Sequence, residues 1–86
     1  MPEICRFFGI SIKMYFGDHL LPHFQAEYGE HKAVIDIQTL VVIGGYVPPR
    51  VLGMIIEWAS QHRADLFDLW KLAAKRQPLY RLPPLE

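Results

Sequence analysis

The stretch "HFQAEYGEHKAVIDI", residues 23–37, predicts a β-hairpin and decides the fold. Gly29 can adopt the positive φ that a two-residue turn over Gly29-Glu30 requires at its first position. The predicted register places Phe24 opposite Ile35 and Ala26 opposite Ala33, with His23 opposite Asp36, Gln25 opposite Val34, Glu27 opposite Lys32 and Tyr28 opposite His31. A slip of one residue would bring apolar and polar side chains onto the same face, so the pattern favours this register.

The segments on either side of this hairpin also show strand patterns. In "ICRFFGISIKMYF", residues 4–16, apolar residues alternate with others, which is typical of a strand with one buried face. Gly9 interrupts the run and predicts either two short strands or one bent strand. "TLVVIGGYV", residues 39–47, is compatible with a short further strand closed by a turn at Gly44-Gly45. The apolar set of the first segment is Ile4, Phe8, Ile10, Ile12, Met14 and Phe16.

The periodicity changes to that of helices after Pro48. Residues 48–76 contain two runs with apolar residues at helical spacing, and Asp65 is the predicted N-cap of the second helix. Their tryptophans, Trp58 and Trp70, lie on or beside the apolar stripes and are expected to pack in the core. The proline-rich residues 77–86 are expected either to lie on the body of the domain or to be free.

These patterns predict one α+β domain over residues 1–86, because a chain of 86 residues buries a single core. We expect an antiparallel sheet of about four strands over residues 1–46, packed by two helices over residues 48–76 and followed by the tail of residues 77–86. The predicted order of elements is β-β-β-β-α-α.

Composition excludes some classes of function. Nine basic residues balance nine acidic ones, so no overall charge attracts nucleic acid or an anionic membrane. The single cysteine, Cys5, cannot form an internal disulfide, and the apolar runs are too short to span a bilayer. The first residues lack the pattern of a signal peptide. We therefore expect a cytoplasmic protein.

The candidate site lies in "DHLLPHF", residues 18–24. If His23 and Asp36 are cross-strand neighbours, the carboxylate can orient the imidazole, and His19 can serve as a second acid–base group. The competing interpretation is an ordinary polar pair on the solvated face of the sheet. On that interpretation the polar side chains form an interaction face made of His23, Gln25, Glu27, Lys32 and Asp36.

A metal site or another cofactor is not expected from the same residues. His19 and His23 have the spacing that brings two rings together on a helix, but Pro22 disfavours a helix here. No cluster of cysteines reinforces the set.

The segments "MPEICRFFGISIKMYFGDH", "PHFQAEYGEHKAVIDI" and "PPRVLGMIIEWASQHR" resemble a family of small prokaryotic proteins catalogued as domain of unknown function 4160. This chain departs from the family pattern at Leu21, where members usually have a proline, and at Gln25, where they usually have a third histidine. The resemblance implies a component of a two-gene module of the toxin–antitoxin type.

Two functions are therefore expected from different classes. The first is a partner-binding protein of such a module, which associates as a homodimer or with a protein encoded nearby through a sheet edge or the tail. The alternative is a small ribonuclease that uses His23, oriented by Asp36, with His19 as the second acid–base group. The neutral net charge does not favour RNA as a partner. Whether the protein is an enzyme stays open.

Overall fold

The computed structural model describes residues 3–15 and 21–86. One antiparallel sheet, with its strands side by side in chain order, is followed by two helices, which confirms the predicted α+β class. The sheet has five strands where about four are predicted. The elements are β1 (Glu3–Phe7), β2 (Ile10–Lys13), β3 (His23–Tyr28), β4 (His31–Asp36), β5 (Val42–Tyr46), α1 (Pro49–Gln61) and α2 (Arg63–Ala74).

The β3–β4 hairpin has the predicted register at all six positions, from His23 opposite Asp36 to Tyr28 opposite His31. Gly29 has a φ of 58°, as the two-residue turn requires. Phe24 and Ala26 face the core together with their partners Ile35 and Ala33, and all four are buried.

The first segment forms two strands, β1 and β2, joined by a tight turn at Phe8 and Gly9. Both turn residues have positive φ, 49° and 78°, as in a type I′ hairpin. Because a two-residue turn places Phe7 opposite Ile10, an odd-numbered residue in β1 shares a face with an even-numbered one in β2. The assignment of Phe8 to the apolar set is therefore wrong: Cys5 and Phe7 are buried, and Phe8 is 63% exposed.

Gly44 and Gly45 lie inside β5, and the prediction that they form a turn closing this strand is wrong. Gly45 has a φ of 73°, and a Cβ atom at this position would clash with the carbonyl oxygen of Lys32 on β4. The two backbones therefore approach more closely here than a side chain would permit.

Both helices contribute to one core with the sheet. Trp58 of α1 is fully buried, with its ring against those of Phe7 and Phe24, as its position on the apolar stripe predicts. The predicted N-cap of α2 is wrong by three residues. α2 begins at Arg63 after His62, and Asp65 lies in its first turn with a carboxylate oxygen 3.7 Å from Nδ1 of His62.

The tail lies on the body of the domain along β1. The backbone N–H of Leu82 donates to the carbonyl oxygen of Ile4 at 2.8 Å, and the Leu82 side chain is buried. Arg81 donates to the carbonyl oxygen of Glu3 at 3.1 Å. Of the two alternatives predicted for the tail, the structure shows the docked one, and it covers the outer edge of β1.

Candidate functional site

The predicted site residues His23 and Asp36 occupy one end of the β3–β4 hairpin, where they are cross-strand partners. Neither lies on a solvated face, because His23 is 8% and Asp36 is 9% exposed. The interpretation as an exposed polar pair is therefore wrong. Trp70 of α2 packs against this end of the sheet, with its ring centroid 5.1 Å from that of His23.

The imidazole of His23 is held by its neighbours in the loop and in α2. Its Nδ1 atom lies 2.7 Å from the carbonyl oxygen of Leu21. The Trp70 indole is tilted by 53° against the ring. Sequence periodicity places Trp70 on the apolar stripe of its helix but contains no signal that its partner is a histidine. The contact appears only when α2 is packed on the sheet.

The carboxylate of Asp36 organises the loop between β4 and β5. Its Oδ1 atom accepts hydrogen bonds from the backbone N–H groups of Gln38 at 2.7 Å and Thr39 at 3.1 Å. This is the arrangement by which an aspartate stabilises a turn that follows it. The backbone of Asp36 also bonds to the loop, to Leu40 and Val41. The Oδ1 atom of Asp36, a member of the proposed acid–base pair, is therefore engaged in hydrogen bonds that stabilise the loop.

His19, the other proposed acid–base group, and Asp18 lie outside the described residues. The full set of His19, His23 and Asp36 stays a prediction. Within residues 3–15 and 21–86 there is no cluster of three histidine, cysteine or acidic side chains that could hold a metal ion.

The rest of the predicted interaction face lies on the side of the sheet opposite the core. Glu27 opposes Lys32 in the register, yet its ion pair is with Lys13 of β2, at 3.1 Å. Gln25 and Glu27 are half-buried and Lys32 is exposed. Much of the charge on this face is therefore neutralised within the sheet itself.

Glu3 forms the centre of the charged network at the β1 side of the same face. It accepts a hydrogen bond from Ser11 at 2.5 Å and lies 3.3 Å from Arg6 and 3.2 Å from Arg81. The Ser11 hydroxyl, aided by the two arginines, lowers the pKa of the Glu3 carboxyl against the opposing effect of burial. This network fixes the tail to the sheet through Arg81. Its role is therefore structural rather than catalytic.

Cys5 is buried and unsuited to nucleophilic chemistry. Its Sγ atom lies 3.5 Å from the carbonyl oxygen of Pro83 in the tail. Burial raises the pKa of the Cys5 thiol, so the reactive thiolate is disfavoured at neutral pH.

The sequence predicts association through a sheet edge or the tail but not which strand forms that edge, and the structure has β5 at one edge of the sheet. This strand is last in the sheet order, so none of the described residues pairs with its outer side. Three apolar side chains along it are exposed: Val41 by 57%, Ile43 by 49% and Tyr46 by 58%. We call Val41 to Tyr46 the β5 edge. The signal available in the sequence was a strand of five residues without a charge, "VIGGY".

One family model matches the chain, over residues 9–71, and its description is "Domain of unknown function (DUF4160)". No curated protein and no solved structure matches the chain. Among the described residues, neither helix is long and apolar enough to cross a membrane.

Proposed function

This chain belongs to the DUF4160 family, and we propose that it is the partner-binding component of a two-gene module of the toxin–antitoxin type, with the β5 edge as its docking strand. The partner supplies an extended segment that adds a sixth strand to the sheet. Binding of this kind uses backbone hydrogen bonds for affinity and exposed side chains for specificity.

The contrast between the two edges of the sheet carries this proposal. At β1 the tail covers the edge: Leu82 and Arg81 both bond to strand carbonyl groups there. At β5 no described residue pairs with the outer side. Proteins usually cover, shorten or charge an edge strand because unpaired backbone groups attract other strands. Within residues 3–15 and 21–86, the tail bonds to one edge of the sheet and nothing pairs with the other.

The chemistry of the β5 edge supports a protein ligand. From Val41 to Val47 the chain has no charged side chain and no proline, the two residue types that most often block pairing at an edge. Ile43 and Tyr46 are exposed apolar groups that a partner strand can cover. The register irregularity between Val34 and Ile35 bends β5 at Ile43, so pairing is expected to begin on the Gly44–Tyr46 side.

The test is co-purification of the protein with the product of the gene encoded beside its own. An affinity tag on this chain should retain the partner in a complex of fixed stoichiometry. Ile43→Lys and Tyr46→Lys place charges on the β5 edge and should weaken the complex at least tenfold, because a lysine there cannot be covered without losing its hydration. Both side chains are exposed, so the fold should be retained.

Leu21→Lys is the matched control. Leu21 is an exposed apolar residue in the segment before β3, and β4 lies between β3 and β5. The control should bind as the unchanged protein does. Equal binding by all variants, or loss of binding only with Leu21→Lys, would remove the β5 edge from the proposal. Absence of any complex with the neighbouring product would reject the module itself.

The alternative proposal, a ribonuclease centred on His23, has less support from the geometry. The ring is buried beneath Trp70, and one oxygen of Asp36 is engaged by the following loop. A substrate phosphate could reach the imidazole only after this end of the sheet opened. Growth arrest on expression that disappears with His23→Gln, while the folded yield is unchanged, would favour the nuclease over the binder.

A further inference from the structure

An open groove lies at one end of the molecule, between the turns of the sheet and the start of α1. It has a volume of about 490 Å³ and is lined by Phe8, Tyr28, Arg50, Val51 and Met54. The volume falls in the range typical of ligand sites, roughly 300–1,000 Å³. Four of the five lining side chains are apolar or aromatic. We call this the turn groove.

Phe8, the first residue of the β1–β2 turn, has a backbone conformation that is unfavourable for an aromatic residue, and its side chain lines this groove. Its φ of 49° is one that glycine or asparagine adopts readily and that a bulky aromatic residue avoids. Burial of the side chain does not compensate for this strain, because Phe8 is 63% exposed and its ring packs edge-on against that of Phe7. A strained, exposed aromatic residue at the rim of a groove is the arrangement expected of a binding residue.

Arg50 determines the charge of the groove. It is the only ionisable group of the lining besides the Tyr28 phenol, and no ion pair to it is present among the described residues. An occupant that places a carboxylate beside Arg50 and an apolar side chain between Phe8 and Met54 would satisfy both parts of the surface. A polyanion such as RNA fits less well, since one cation offers too few phosphate contacts and the chain is neutral overall.

His31 connects the groove to the end of the β5 edge. Tyr28 opposes His31 across the β3–β4 turn, and the His31 ring lies 5.6 Å from that of Tyr46 at the end of β5. After Tyr46 the chain passes through Val47 and Pro48 into the first turn of α1, where Arg50 lies. Exposed aromatic groups therefore lead from one surface to the other.

We propose that the turn groove binds a short protein segment in which an apolar side chain adjoins an acidic residue. This inference rests on the proposed function, because the ligand is a protein, but it uses residues outside the β5 edge. The two can therefore fail separately.

The probe is a set of capped 12-residue peptides in which leucine and phenylalanine are interspersed with aspartate, glutamate, their amides or lysine. Binding is read from the methyl resonances of isotope-labelled methionine. Met54 lines the groove, and Met14 is buried in the core and serves as the internal reference. The acidic peptide should shift the Met54 resonance saturably and leave Met14 unchanged. The lysine peptide should not bind.

Two substitutions separate binding from folding. Phe8→Gly relieves the backbone strain, so the melting temperature should stay the same or rise while affinity for the acidic peptide falls at least tenfold. Arg50→Gln should reduce affinity for the acidic peptide and abolish its advantage over the amide peptide. Arg63→Gln, at the exposed start of α2, is the matched control for loss of a positive charge and should bind normally.

Three results would overturn the inference. The first is equal binding of the acidic, amide and lysine peptides. The second is undiminished binding by Phe8→Gly, or a melting temperature so reduced that Phe8 is shown to be structural. The third is a larger Met54 shift with a single-stranded oligonucleotide than with the acidic peptide. The Ile43→Lys variant tests whether the two sites are separate. It should lose the complex with the neighbouring gene product and still bind the acidic peptide in the groove.

Discussion

The indole N–H of Trp58 donates a hydrogen bond to the carbonyl oxygen of Pro83 at 2.8 Å. This bond joins the centre of the core to the tail, because Trp58 is fully buried between α1 and the sheet. A buried indole needs a partner for its only polar group, and the tail supplies it. The tail is therefore part of the folded domain, and it bonds to the edge of β1 at Glu3 and Ile4.

The first prediction concerns the anchoring of the tail. Leu82→Ala should lower the free energy of unfolding by about 2 kcal/mol, because it removes most of a buried side chain at the β1 edge. Urea unfolding followed by circular dichroism measures the change. Pro84→Ala, at an exposed position two residues later, should alter stability by less than about 0.5 kcal/mol. Equal effects of the two variants would mean that the tail is not anchored at Leu82.

The second prediction separates two roles of Asp36. Asp36→Ala should cost about 1–3 kcal/mol, because the N–H groups of Gln38 and Thr39 lose their acceptor. Asp36→Asn keeps an oxygen in the same place and should cost less than about 1 kcal/mol. If the two variants are equally destabilised in urea, the charge of Asp36 matters more than its turn-forming oxygen, and the acid–base proposal with His23 gains support.

The third prediction concerns the reactivity of Cys5. A thiol reagent at pH 8 should modify the native protein roughly 100-fold more slowly than the protein unfolded in urea, because burial both blocks access and raises the pKa of the thiol. Chromogenic disulfide exchange measures both rates. Rapid, complete modification of the native protein would show that the β1 side of the core opens readily.

The fourth prediction is a late tyrosine ionisation. Partial burial, together with the hydrogen bond that Tyr80 donates to Asp68, raises the pKa of the Tyr80 phenol to about 12. The fold favours the neutral phenol, so its contribution to stability is complete below about pH 10 and is lost as the pH rises towards 12. Tyrosinate absorbance should show this final step.

Tyr80→Phe should remove the late step, and Asp68→Asn should move it to lower pH because the negative neighbour is gone. Tyr46→Phe is the control, since Tyr46 is an exposed tyrosine on another strand, and this change should leave the late step in place. An unaltered final transition in Tyr80→Phe would assign it to a different tyrosine.

The sequence by itself determined the hairpin register and the division into a sheet and two helices. The β3–β4 register followed because only one pairing keeps Phe24 and Ile35 on the apolar face and His23 beside Asp36. The helices followed because apolar residues recur at helical spacing after Pro48. These features depend on residues close together in the chain, so local pattern was sufficient.

Only the tertiary structure decided which surfaces the candidate site and the docking edge occupy. His23 is buried and in contact with Trp70 of α2, and no local pattern specifies that contact. The tail covers β1 through residues such as Arg81 and Glu3, which are 78 positions apart. The exposure of Phe8 depends on where the chain turns, since a two-residue turn exchanges odd and even faces. Contacts between distant segments follow from how the layers pack, and sequence periodicity describes each segment only by itself.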